Sequence, residues 1–88
     1  MSVTAGDIET AVAQALQPLE LAVRDDSHLH AGHAGAREGR HFLVTVCSTR
    51  FEGLSRVARH RLVYDAVALL MPRGIHALAI EARAPSER

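Results

Sequence analysis

The sequence has one cysteine, no lysine and no long apolar run. Because Cys47 stands alone in the 88 residues, an intramolecular disulfide is excluded and a reducing compartment is predicted. No apolar run approaches the ~18–20 residues that cross a bilayer, so we expect no membrane partner. The first ten residues, MSVTAGDIET, lack the features of a secretory signal or a transit peptide, and a cytoplasmic location is therefore expected.

The chain also lacks a net charge of either sign. Ten acidic residues balance ten basic residues, all of them arginine, so the net charge is zero apart from six histidines. Strong non-specific nucleic-acid binding depends on net positive charge against phosphates, and this balance argues against it. The sequence contains no nucleophile elbow, phosphate-binding loop or HExxH helix, so we expect no enzymatic activity.

Two apolar patterns follow each other in the first half of the chain. Thr4 and Asp7 are typical of a capped helix start, and Pro18 of a helix end. The predicted helical face consists of Ile8, Ala11, Val12, Ala15 and Leu16. A first strand follows, with a predicted buried face at Leu19, Leu21 and Val23. A second strand, expected to pair antiparallel with the first, carries Phe42, Val44 and Val46 on its apolar face.

The second half of the chain predicts two helices and a third strand. Ser55 is typical of an N-cap, and a slip in the apolar phase after Ala58 predicts a short helix followed by a long one, ended by Pro72 and Gly74. The third strand is predicted to place His76, Leu78, Ile80 and Ala82 on one face. We therefore expect a single α+β domain over residues 1–88, in the order α-β-β-α-α-β, with helices on one face of a three-stranded sheet.

A long predicted loop, residues 25–39, separates the first two strands. Its sequence, DDSHLHAGHAGAREG, contains three glycines, three alanines and three histidines. Loops beyond roughly 12–15 residues in compact domains are often functional. Because imidazole is a good ligand for iron, zinc and copper, His28, His30 and His33 form a candidate metal site. On composition alone, a solvated polar loop is an equal alternative.

Three segments resemble the BolA family in order and spacing: DDSHLHAGHAGAREGRHF, RFEGLSRVARHRLVYDAV and IHALAIEAR. They extend from about Arg24 to Arg83. The resemblance implies a class II KH-like fold. It also implies an adaptor that binds a monothiol glutaredoxin and shares a 2Fe-2S cluster with it and with glutathione, in iron-sulfur cluster trafficking or in iron and redox regulation.

The resemblance further assigns ligands. His76 matches the position of the histidine that binds the cluster in the family, although a strand histidine by itself is more often a core residue. Family members carry the second ligand in the loop, as cysteine or histidine. This loop has no cysteine, and His30 fits the matching position best, with His28 and His33 as alternatives. Cys47 is predicted to be a small hydrophobe, with a lesser chance of being a ligand or a glutathionylated thiol.

An arginine-rich segment provides the alternative function. Arg56, Arg59, His60 and Arg61 crowd one stretch, which is most often a solvated face or a set of helix-end salt bridges. The resemblance makes it the edge of a partner or nucleic-acid surface, and the family's alternative function is that of a DNA-binding transcriptional regulator. The segment FEGLSRVAR contains one glycine where KH domains carry a GxxG loop, which argues against KH-type RNA binding. A weak homodimer through this surface is a third possibility.

Overall fold

Two helices and a three-stranded sheet form the part of the chain that the structure, a computed structural model, describes: residues 3–27 and 40–87. The loop histidines His28, His30 and His33 lie outside these ranges. The helices are α1 (Ala5–Leu16) and α2 (Arg56–Ala66), and the strands are β1 (Glu20–Asp25), β2 (Arg40–Cys47) and β3 (Ile75–Arg83). Short 3-10 turns occur at Thr49–Phe51, Met71–Arg73 and Pro85–Glu87.

The start and end of α1 follow the sequence prediction. The Thr4 hydroxyl accepts a hydrogen bond from the Asp7 N–H at 3.2 Å, and the Asp7 carboxylate accepts one from the Thr4 N–H at 2.9 Å. This capping box satisfies backbone donors that a helix start leaves without partners, and the Thr4 N–H lowers the pKa of Asp7. The helix ends at Gln17, which takes a left-handed conformation before Pro18.

The sheet has the order β1-β2-β3, with β1 and β2 antiparallel as predicted and β2 and β3 parallel. Its buried face meets both helices, and the shared core contains Ile8, Val12, Phe42, Val44, Val46, Val63, Leu78 and Ile80. The prediction for Leu19 was wrong: it lies one residue before β1 and is 57% exposed. Among the described residues, no helix has the length and apolarity needed to cross a membrane.

One α-helix stands where the sequence predicted two. The Ser55 hydroxyl accepts from the Ala58 N–H at 3.1 Å, which confirms the predicted cap. The helix then ends at Ala66, and the chain continues through turns to Met71–Arg73. The slip in the apolar phase after Ala58 marks no break in the helix, because Val57, in the first apolar set, is 61% exposed and does not belong to the core. The apolar residues beyond Ala66 reach the core from turns.

A bulge interrupts β3 at its start. Arg40 lies opposite Ile75 and His41 opposite Ala77, which leaves His76 as the extra residue. A bulge breaks the alternation of side chains between the two faces of a strand. His76 and Ala77 are accordingly both exposed. The prediction that His76 shares the apolar face of Leu78, Ile80 and Ala82 was therefore wrong, and the bulge is the reason.

Candidate metal centre

Two histidines meet where β2 and β3 begin. His76 is exposed on the bulge of β3, and His41 is half-buried on the adjacent strand. Their ring centroids are 5.1 Å apart and the ring planes are tilted by 50°. The alternation of the rest of β3 would turn His76 toward the helices. The bulge instead brings it to the face of the sheet on which His41 stands.

Backbone hydrogen bonds hold this end of the sheet. The His41 carbonyl accepts from the Asp26 N–H at 2.7 Å, and the His41 N–H donates to the Ser27 hydroxyl at 3.1 Å. The Arg40 N–H donates to the Gly74 carbonyl at 2.9 Å, which joins the starts of β2 and β3. Gly74 has a φ of +141°, a conformation that favours glycine. The backbone that carries the two imidazoles is thus fixed from both neighbouring segments.

Two ion pairs neutralise the surrounding charges. Arg40 and Asp25 lie 2.9 Å apart, and Arg24 and Asp26 2.6 Å apart. Hydrogen bonds from Ser27, and after them the contact with Arg40, lower the pKa of Asp25 and keep its carboxylate ionised. Both carboxylates already bind arginine, and His76 is the exposed imidazole beside them.

The histidine pair alone provides two nitrogens and does not complete the ligand set of a metal ion. Within residues 3–27 and 40–87, no group of three or more His, Cys, Asp or Glu side chains could hold a metal ion. Two imidazoles do serve on one iron of a Rieske-type 2Fe-2S cluster, where they replace two thiolates.

The sequence reasoning singled out His76 but missed His41. The alternation of β2 places His41 opposite to the Phe42 face, yet nothing in the local sequence shows that β3 lies parallel beside β2 with a bulge at His76. Cys47 lies at the far end of β2, about 20 Å from His41 at ~3.3 Å per residue, and is 4% exposed. The Cys47 thiol is therefore too distant and too buried to join the histidine pair.

In the predicted arginine cluster, Arg59 forms hydrogen bonds and an ion pair within the fold. Its guanidinium donates to the Glu87 carboxylate at 2.5 and 2.8 Å and to the Leu54 carbonyl at 3.0 Å. The hydrogen bonds from Arg59, followed by one from the Ala84 N–H, lower the pKa of Glu87 to about 2. Since only 12% of the Arg59 side chain is exposed, it attaches the C-terminal turn to α2 and offers little surface to a partner.

A groove beside the second half of β3 includes two further residues of this cluster. It has a volume of about 670 Å³, and Arg56, His60 and Arg83 are among its lining residues. Among the described residues, neither Arg56 nor Arg83 forms an ion pair. Arg61 is exposed on α2 outside the groove lining. The carboxylates of Glu81 and Glu87 also line the groove, and the two arginines outside ion pairs are the part of it suited to an anionic ligand.

Comparison with known proteins gives one consistent match. The family model of BolA-like proteins matches residues 12–87. Protein BOLA1, chloroplastic, from Arabidopsis thaliana is 45% identical over 82% of the chain, which spans 48% of that protein's length. The DNA-binding transcriptional regulator BolA of Vibrio cholerae is 45% identical over 83% of the chain and is matched over 67% of its own length. The BolA domain of SufE1 from Arabidopsis thaliana superposes with a TM-score of 0.85 at 40% identity, covering 100% of this chain and 99% of that domain.

Proposed function

The chain belongs to the BolA-like protein family, and on that premise we propose that it is a non-catalytic adaptor that binds a monothiol glutaredoxin and shares a 2Fe-2S cluster with it. The observation that carries the proposal is the position of His76, which is exposed on the bulge at the start of β3 with its ring centroid 5.1 Å from that of His41. An exposed imidazole, in a fold whose described residues contain no group of three or more metal-binding side chains, suits a cluster that a partner helps to hold.

In this proposal His76 is one ligand from the chain and a second histidine completes its contribution. The resemblance places that second histidine in the loop, at His30, with His28 and His33 as alternatives. The glutaredoxin's cysteine and the thiol of bound glutathione supply the remaining ligands. Imidazoles in place of thiolates reduce the negative charge of the cluster and raise its reduction potential.

The test is a titration of the apo chain into a monothiol glutaredoxin homodimer that holds the cluster, followed by visible circular dichroism. We expect a new spectrum that saturates at one chain per glutaredoxin. His76→Ala should fail to produce it while keeping its stability within about 0.5 kcal/mol, since the side chain is exposed. Thr49→Ala changes an exposed side chain outside both candidate surfaces and should behave as wild type. A wild-type spectrum from His76→Ala would exclude His76 as a ligand.

The anion-suited groove supports a second candidate function, that of a DNA-binding transcriptional regulator. The Vibrio cholerae relative carries this description, and Arg56 and Arg83 are available to phosphates. Duplex binding measured against salt concentration tests it: replacing both arginines with alanine should reduce the log-log slope by about 2, roughly 1 for each phosphate contact. An affinity that neither salt nor the double substitution changes would exclude this function. Sedimentation of the chain alone tests the weak homodimer.

A further inference from the structure

The outer edge of β3 directs backbone groups away from the sheet. In the order β1-β2-β3, which covers the described residues, β3 is an edge strand. The Arg83 carbonyl accepts from the Ser48 N–H at 3.0 Å, so Arg83 directs its backbone groups toward the β2 side. Since successive residues of a strand direct these groups to opposite sides, Leu78, Ile80 and Ala82 direct theirs outward. Unpaired N–H and C=O groups at a sheet edge can pair with another chain.

Side chains from α2 bind this outer edge on both sides of Ile80. The Tyr64 hydroxyl donates to the Leu78 carbonyl at 3.3 Å, and the Arg59 guanidinium donates to the Ala82 carbonyl at 3.4 Å. Ile80 lies between these contacts and lines the groove beside β3. Among the described residues, no hydrogen bond from the α2 side reaches its N–H or its C=O. Ile80 therefore offers one donor and one acceptor to a bound chain.

The C-terminal turn already places a carboxylate at this edge. The Ala84 N–H, just beyond β3, donates to the Glu87 carboxylate at 2.9 Å, and the Arg59 guanidinium binds the same carboxylate. A backbone donor of the edge and an arginine from α2 thus hold one acidic group together. Arg56, about one turn before Arg59, also lines the groove and forms no ion pair within residues 3–27 and 40–87. It is available to a second acidic group.

The other charges on the groove lining balance each other. Glu81 and Arg83 contribute one charge of each sign from β3, and Glu87 is paired with Arg59. The charge of Arg56 is then left in excess on the α2 side of the groove. The lining therefore combines an unpaired peptide group at the edge of β3 with one unpaired positive charge.

We propose that the groove binds an acidic segment of a partner protein in an extended conformation, as an added strand at the outer edge of β3. The backbone of the segment pairs with the N–H and C=O of Ile80, and one of its carboxylates binds Arg56. Duplex DNA is the competing occupant. It offers phosphates to Arg56 but no amide backbone to Ile80, and the zero net charge of the chain does not favour phosphate binding. The inference does not depend on cluster sharing, since His76 lies outside the groove lining.

The test is a titration of the 15N-labelled chain with a short acetylated peptide of alternating glutamate and threonine, followed by amide NMR and hydrogen exchange. Binding should shift the Ile80 amide signal and slow its exchange. The Ala79 amide, which is directed toward β2, is the internal reference and should not change its exchange. Arg56→Ala should weaken binding about threefold. Arg61→Ala removes an exposed arginine of α2 outside the groove lining and should bind as wild type.

Peptide and DNA controls separate the possible occupants. Methylation of alternate backbone nitrogens of the peptide should abolish binding, and a peptide with lysine in place of glutamate should bind more weakly. Equal binding of either control would overturn the proposal, as would the absence of any shift at millimolar peptide. Slower exchange at Ile80 with duplex DNA but not with the peptide would assign the groove to DNA, and slowing with chain concentration alone would assign it to a second copy. His76→Ala should bind the peptide as wild type, which separates this test from that of cluster sharing.

Discussion

At the scale of single residues, Ser48 has a larger structural role than its size suggests. Its hydroxyl is fully buried, donates to the Leu16 carbonyl at 2.7 Å and accepts from the Arg50 N–H at 3.1 Å. Ser48→Ala should lower the free energy of unfolding by about 2 kcal/mol, because both backbone groups lose a partner. Urea unfolding measures this. Thr49→Ala, at an exposed neighbour, should change it by less than about 0.5 kcal/mol, and an equally small effect at Ser48 would contradict the argument.

Single residues also show which parts of the site the sequence could predict. The helix caps at Thr4 and Ser55 form as predicted, since a cap depends on residues within one turn. The meeting of His41 and His76 was not predictable in this way, because it depends on strand pairing and on a bulge between segments far apart in the chain.

At the scale of elements, the end of α2 shows a limit of periodicity. Val63 on the helix and Val67 just after it are both fully buried, so the apolar pattern continues past the last helical residue. The helix was predicted to extend to Pro72, but it ends at Ala66. Apolar spacing reports which residues face the core and does not distinguish a helix from the turns that follow it.

The C-terminal turn gives a prediction about pH. The pKa of Glu87 falls from 4.5 to about 2 because its carboxylate accepts hydrogen bonds from Arg59 and from the Ala84 N–H. A carboxyl whose pKa is lower in the folded state stabilises the fold above its unfolded pKa, and this stabilisation is lost as the pH falls toward the folded value. Glu87→Gln should therefore be less stable than wild type at pH 7, and the difference should shrink between about pH 4.5 and 2.

Urea midpoints at successive pH values from 7 to 2 measure this difference. Glu9→Gln is the matched control, since it removes the same charge from an exposed carboxylate that forms no ion pair with the described residues. The difference in stability between Glu9→Gln and wild type should not shrink in this way as the pH falls. A Glu87→Gln difference that stays constant down to pH 2 would contradict the role given to the pair with Arg59.

At the scale of the whole molecule, the two candidate surfaces lie at different ends of β3. His76 is near the start of the strand, whereas the groove lies beside Ile80–Arg83, about 13 to 23 Å farther along at ~3.3 Å per residue. The placement of helices on one face of a three-stranded sheet was predictable from alternating apolar residues. The separation of the two surfaces was not, because it depends on the packing of α2 along β3. Arg56→Ala should therefore leave cluster sharing unchanged in the titration by circular dichroism.

The composition of the mixed complex tests the central claim most directly. Native mass spectrometry of the chain mixed with a cluster-loaded monothiol glutaredoxin and glutathione reports the mass of each assembly. The account predicts one assembly with one chain, one glutaredoxin, one glutathione and one 2Fe-2S cluster, and its absence with His76→Ala. A cluster found only in the glutaredoxin homodimer, with the chain remaining free, would contradict the account.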